Sequence, residues 1–210
     1  IVTGHQIMRA FAPEQTEVVP IYIDREGRWF TGEPLFDLKS YTNEIPSLAG
    51  VIPVALSPSV QHHGLILNPT PSGLFAKSQI KRLDVVFPAI HGEFGEDGQL
   101  QTMLESYGVS YVGSPPHACR VTADKSDCQR VLATAGFYTP PNWVVHKNKK
   151  LPVLPEGEYV AKPLHGGSSI GVEHVRNVKK DLKTALARVW QHEPAAIIEP
   201  FVKGREFTVI

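Results

Sequence analysis

The sequence predicts an α/β protein, with an N-terminal Rossmann-like parallel sheet followed by a separate α+β unit. Three observations lead there. Strand-like and helix-like segments alternate through the first half, which favours layered α/β architecture over a bundle or sandwich. Residues 83–90, LDVVFPAI, form a nearly unbroken apolar run, as in a central strand covered on both faces. From residue 158 onward the pattern reads strand, loop, strand, helix, strand.

Composition narrows the functional classes. The 210 residues are 42% hydrophobic and 20% charged, with 21 Lys+Arg against 21 Asp+Glu. This balance excludes a disordered chain and a protein that binds nucleic acid by bulk positive charge. A chain of this length can bury roughly 70% of its unfolded surface in one or two domains. The two cysteines, Cys119 and Cys128, fit neither a CxxC nor a Cys/His metal spacing, and so point to a reducing compartment. No window approaches the roughly 20 apolar residues of a membrane span, and no basic-then-apolar leader opens the chain. The expectation is a soluble, cytoplasmic protein without membrane or nucleic-acid partners. Ile1 is not a methionine and the last residues, EFTVI, resemble an interrupted strand, so the fold is expected to be incomplete at both ends.

The elements follow in order. Ile7, Met8 and Phe11 suit the apolar face of an opening helix. EVVPIYI (17–23) is a strand, turned by Asp24-Arg25-Glu26-Gly27. VIPVAL (51–56) and GLILN (64–68) form a two-stranded excursion. After the 83–90 run, Leu100, Met103, Leu104 and Tyr107 recur at helical spacing before Gly108, giving a helix over 97–107 and then a strand, VSYVG (109–113). Strand, polar loop and helix in this order place HGEFGEDG (91–98) at the carboxyl edge of the sheet, where α/β proteins hold ligands. Ser114-Pro115-Pro116 marks a boundary. Beyond it come a helix from about Asp124 to Ala135, the segment TPPNWVV, strands at 158–164 and 171–175, a helix over 178–191 and a strand at 195–202.

Three segments can carry chemistry. HGGSSIGV (165–172) lies between two strands; adjacent glycines permit positive φ, and its hydroxyls and free N–H groups can fold over anionic oxygens. A plain hairpin turn would have the same composition. Lys162, three residues before His165 in an otherwise apolar strand, favours the anion, because buried lysines are rare without one. In HGEFGEDG, Glu96 within reach of His91 can fix the imidazole for carboxylate binding or proton transfer; Asp97 can equally cap the following helix. His62-His63 reads as exposed loop, and no metal site is expected. Glu199 and Glu206 can act as acid/base groups or as hydrogen-bond acceptors toward a ligand.

Taken together and in this order, HGEFGEDGQLQ, ADK at 123–125, VAKP at 160–163, GGSSIGV at 166–172 and GREFTV at 204–209 resemble the D-alanine–D-alanine ligases of the ATP-grasp superfamily. The resemblance spans nearly the whole chain. It implies a substrate-binding pre-ATP-grasp domain over 1–119, the small ATP-grasp lobe over 120–195 and the start of the large lobe over 196–210. Implied partners are D-alanine, ATP, Mg2+ and a second copy in a homodimer. Lys125 and Lys162 would hold ATP phosphates, and Gly166, Gly167, Ser168 and Ser169 would close over them. Ser168 would also join the network around the first D-alanine, which His91 and Glu96 would help bind. Glu199 and the backbone of Phe201 and Val202 would face adenine, and Glu206 the ribose. The chemistry implied is phosphorylation of one D-alanine to an acyl phosphate and attack by the amine of the second, supplying peptidoglycan precursors. Ligation to D-lactate or D-serine, and a non-catalytic nucleotide-binding or dimerisation module, are the alternatives. Thr102 and Ala123 depart from the residues usual in the family, and the family's opening strand and acidic metal ligands would lie outside Ile1–Ile210.

Overall fold

The computed structural model describes residues 1–70 and 77–207. The chain divides into two compact units, Ile1–Pro116 and His117–Ile210. Both are mixed α/β.

The first unit opens with α1 (Val2–Ala10), the predicted amphipathic helix. Its sheet contains β1 (Tyr22–Ile23), β2 (Trp29–Thr31), β3 (Ile52–Leu56), β4 (Gly64–Leu67) and β5 (Gln79–Arg82), in chain order, with every neighbour antiparallel. This corrects the expected parallel sheet. Short turns reverse the chain between β1 and β2 and between β3 and β4, whereas parallel neighbours need a crossover of about a dozen residues or more. Between β1 and β2, Asp24 Oδ1 accepts the N–H groups of Glu26 and Arg28 at 3.0 and 2.8 Å. Between β3 and β4, Ser57 Oγ meets His62 Nδ1 at 2.6 Å, so His62 belongs to a closed turn. The strand expected over 17–23 contracts to Tyr22–Ile23; Pro20 lacks an N–H for a ladder, and its carbonyl accepts the Thr31 hydroxyl.

The run at 83–90 is not a central strand. Val85 and Phe87 are 55% and 47% exposed, and the run contributes the bridge Val86↔Tyr111, which is parallel. Pro88 removes a further donor. That bridge nevertheless encloses α2 (Gln99–Ser106), so the expected order of strand, polar loop, helix and parallel return survives in miniature. Two apolar clusters fill this unit, one around Val54, Leu65 and Leu83 and one around Leu100, Leu104 and Val109. Trp29, Leu56 and Val86 pack against both.

The second unit begins with α3 (Pro116–Ala123) and α4 (Lys125–Thr134). α3 occupies the stretch expected to be a boundary. Proline at a first helical position forfeits an N–H that the helix would not have used, so Pro116 starts a helix here rather than breaking one. The sheet comprises β6 (Trp143–His146), β7 (Tyr159–Pro163), β8 (Glu173–Val175) and β9 (Ala195–Pro200), ordered β6-β9-β7-β8 and antiparallel throughout. Residues 196–200, expected to open a further lobe, lie inside this sheet. α5 (Val178–Val189) is capped by Asn177, whose side chain accepts the Lys180 N–H at 3.1 Å.

The faces of this sheet differ. Leu182, Ala185, Leu186 and Val189 of α5 bury against Tyr159, Ala161, Ala196 and Ile198. Side chains alternate along a strand, so Val160, Lys162, Ile197 and Glu199 belong to the opposite face. The expected EFTVI strand falls partly outside the described residues; Glu206 and Phe207 are exposed on irregular chain. Among the described residues no helix is long and apolar enough to cross a membrane.

Candidate functional site

In the second unit the β7–β9 register decides which charged groups meet. Val160 stands opposite Glu199 and Lys162 opposite Ile197, making Lys162 and Glu199 diagonal neighbours on one face. Lys162 Nζ lies 2.7 Å from Glu199 Oε2, with side chains 25% and 11% exposed. Glu199 also accepts from Gln129 Nε2 of α4, and Gln129 Oε1 in turn accepts from Asn142 Nδ2 at 2.7 Å. The lysine predicted to lie in an apolar strand therefore does have an anionic partner, a glutamate of the same chain. On the same face of the sheet, Leu164, Ala195 and Ile197 form a small buried apolar cluster.

Lys125 reaches the same edge from the first turn of α4. Its Nζ donates to the carbonyls of Leu164, His165 and Gly166 at 3.2, 2.8 and 2.9 Å, and its own N–H bonds to Leu164 O at 3.3 Å. Burial pushes its ammonium below the ordinary lysine value of 10.5, and repulsion from Lys162 adds to this, while Glu193, Glu199 and Asp124 act in the other direction. The three N–H donors of this ammonium are thus directed to the carbonyls at the start of the loop.

The loop after β7 contains four residues in the left-handed region. Gly166, Ser168, Ser169 and Gly171 have φ of 73°, 53°, 57° and 72°. Left-handed conformation costs a serine roughly 1–3 kcal/mol and concentrates at ligand-binding segments. Successive N–H groups in such turns face a common concavity. At its far end, a Cβ on Gly171 would lie 2.7 Å from His192 Cδ2, so this position requires glycine.

In the first unit the 91–98 loop is built from its own backbone. Glu96 N–H bonds to Gly92 O at 2.9 Å, and Gln101, buried in α2, donates to Gly95 O at 2.9 Å. His91 Nδ1 lies 3.6 Å from Glu96 Oε1, beyond hydrogen-bonding distance, and the side chains are 74% and 61% exposed. The two residues are neighbours without a fixed bond between them. Asp97 is the organiser: it accepts from Phe94 N and Gln99 N at 2.9 and 3.0 Å. Burial raises its carboxyl, but these hydrogen bonds and that of the Gln99 side chain outweigh burial and hold it below 3.8. A depressed folded-state value stabilises the fold above pH about 3.8 and ceases to do so as pH falls through it. Asp97→Asn is expected to lower the melting temperature at neutral pH, with the gap from the unaltered protein narrowing as pH falls below 3.8 through the lowered folded-state value. A gap independent of pH would contradict this account.

Residues 1–114 match the family model for the D-ala D-ala ligase N-terminus, and residues 141–210 the one for the D-ala D-ala ligase C-terminus. The chain belongs to the D-alanine–D-alanine ligase family. It is 32% identical to a D-alanine–D-alanine ligase of Corynebacterium aurimucosum, covering 99% of this chain and 58% of that protein. The D-alanine–D-alanine ligase structure from Coxiella burnetii superposes with a TM-score of 0.80 at 20% identity, over 97% of this chain and 59% of that one. The Bacillus anthracis ligase complexed with ATP gives a TM-score of 0.53 at 31% identity, over 58% and 42% of the two chains. The chain thus spans somewhat more than half the length of the ligases it matches.

Set against the family's motifs, the structure brings Lys125, Lys162, Gly166 and Glu199 to one edge of the second sheet. Phe201 and Val202 follow directly on β9, Phe201 bonding through its N–H to Glu158 O at 2.9 Å. Glu206 is exposed and outside that cluster. The sequence does not reveal Asp124, Gln129 and Glu193 as parts of this edge. Asp124 carried one signal, an aspartate opening a helix; its Oδ1 accepts from Ser126 and Asp127 N–H groups at 2.9 Å. Glu193 carried none, since it meets the loop only through tertiary folding.

Proposed function

We propose that the complete gene product joins two D-alanines at the expense of ATP, in the cytoplasm and as a homodimer, and that this chain carries the first-substrate and phosphate-holding parts of the site. The observation supporting this most strongly is the anchoring of Lys125 on the root of the left-handed Gly-Ser loop, with the Lys162–Glu199 pair near enough to act on it, in a chain of ligase-family sequence. The residues fit a triphosphate: two ammonium groups, free N–H groups and two hydroxyls at one edge. ATP supplies the phosphoryl group that converts a carboxylate into an acylating agent. Lys125 and Lys162 neutralise its charge, and Gly166, Gly167, Ser168 and Ser169 position it through backbone and hydroxyl donors. Glu199, Phe201 and Val202 are assigned to the adenine side and Glu206 to the ribose. In the other unit His91 and Glu96 are assigned to the first D-alanine. The first unit is proposed as the substrate-binding pre-ATP-grasp domain and the second as the small ATP-grasp lobe.

Mg2+ is proposed as the counter-ion of the phosphates, a hard cation that prefers oxygen ligands. No ligand to it is assigned: the described residues contain no group of three His, Cys, Asp or Glu that could hold a metal. The test is ADP release by the complete gene product. Turnover with D-alanine, and none with L-alanine, is expected. Turnover only with D-lactate or D-serine as acceptor would replace this reading with that of a related ligase, and no turnover with any of them would reject it.

A further inference from the structure

The residue that fixes the loop in place is outside the loop and outside the family motifs that identified it. Glu193 stands just beyond the C-terminal end of α5, where its N–H bonds back to Val189 O. Its two carboxylate oxygens both contact one residue at the root of the loop: Oε2 accepts the His165 backbone N–H at 3.0 Å, and Oε1 lies 2.6 Å from His165 Nδ1. A carboxylate oxygen can only accept. The proton of that contact therefore sits on Nδ1, which turns Nε2 the other way, and Nε2 lies 3.5 Å from Asp124 Oδ2. Asp124 is the N-cap of α4, the helix whose first residue is Lys125. One imidazole thus stands between the α5–β9 turn, the start of the loop and the cap of the helix that delivers a phosphate lysine.

Lys125 clamps the same stretch by its carbonyls, Leu164, His165 and Gly166, while Glu193 clamps it by an N–H. Donor and acceptor sides of residue 165 are both held. Just beyond it, Gly166, Ser168 and Ser169 adopt the left-handed conformations that aim the loop's N–H groups. A loop that must hold strained φ values needs its root fixed, because freedom there would let the serines relax.

We infer that Glu193 is a positioning residue for the phosphate loop, acting through His165 to hold residues 166–170 in their anion-binding conformation before nucleotide arrives. This rests on the reading of 166–170 as the loop that closes over phosphates. Preorganisation of this kind is felt mainly as nucleotide affinity, since loop ordering no longer has to be supplied by binding. It leaves the first unit's contribution to D-alanine binding untouched.

The test uses the complete gene product with Glu193→Ala, Glu193→Gln and His165→Ala. Hydrogen exchange of the amides of 166–171, measured without nucleotide, is expected to quicken about tenfold in Glu193→Ala, the equivalent of one charge-assisted hydrogen bond. The KM for ATP is expected to rise by a similar factor and the KM for D-alanine by a smaller one. Glu193→Gln retains one acceptor oxygen and should fall between the two. His165→Ala, which keeps the backbone N–H contact, should loosen the loop less than Glu193→Ala. Loop exchange and ATP KM both unchanged in Glu193→Ala would overturn the proposal. So would exchange quickened equally across β7, α5 and β9, which would mark a general loss of stability. Absence of any turnover in the unaltered protein would reject the ligase reading alone, because the exchange comparison is read without nucleotide or turnover.

Discussion

Lys162→Met is expected to weaken ATP binding by the complete gene product about a hundredfold, measured by calorimetry or by displacement of a fluorescent nucleotide. A charge-assisted hydrogen bond to phosphate contributes about 1.5–3 kcal/mol, or roughly ten- to a hundredfold in affinity. The upper end applies because the substitution does two things. It removes the ammonium, and it leaves Glu199 as an uncompensated carboxylate beside the phosphate edge, where it repels the ligand. Glu199 keeps its contact with Gln129, so the protein should still fold, with a loss of about 1–3 kcal/mol from the partly buried, unpaired charge. Combining Lys162→Met with Glu199→Gln separates the effects: the double variant should recover much of the stability and little of the affinity. Undiminished ATP affinity in Lys162→Met would remove Lys162 from the phosphate site.

Leu186→Ala should have the largest effect on stability. Leu186 is fully buried, on the α5 face that meets Tyr159, Ala161, Ala196 and Ile198. Truncation of a buried leucine costs about 2–5 kcal/mol, the spread reflecting how far the surroundings can close the cavity. Relaxation is limited here, because the sheet beneath is held by ladders on both sides of β9 and β7. Denaturant titration should show the loss as a lower midpoint. Val153→Ala, at a residue 93% exposed, should change stability by less than about 0.5 kcal/mol and serves as the reference. A Leu186→Ala loss of the same small size would mean that α5 is not packed as described.

These contrasts also explain what could be read in advance. α5 was legible because Val178, Leu182, Ala185, Leu186 and Val189 repeat at helical spacing, and packing agreed with periodicity. β7 and β9 were legible as apolar runs of strand length. The first unit was misread where an apolar run was taken to mean double-sided coverage: Val85 and Phe87 are largely exposed, and Pro88 interrupts any ladder. Ser114-Pro115-Pro116 does mark the boundary between the units, which falls after Pro116, but α3 carries no apolar repeat strong enough to announce the helix that Pro116 starts. Within the site, local motifs located Lys125, Lys162 and the Gly-Ser loop. The Glu199 partner of Lys162, and the Glu193 anchor of His165, were hidden because they depend on strand register and on residues 28 or more positions apart.

The diagonal contact between Lys162 and Glu199 also bears on how the second unit reaches its fold. Strand pairing has a period of two, so a slip of β9 by one residue against β7 would exchange its faces. Glu199 would then lie beneath α5 among Leu182, Leu186 and Val189, and Ile198 would take its place beside Lys162. Hydrophobic residues occupy both faces of β9, so aliphatic packing alone discriminates weakly between the two alignments. The carboxylate does discriminate, because a buried, unmatched charge is far more costly than a misplaced isoleucine. The pair assigned to nucleotide binding is in this respect also a checkpoint for correct strand alignment during folding.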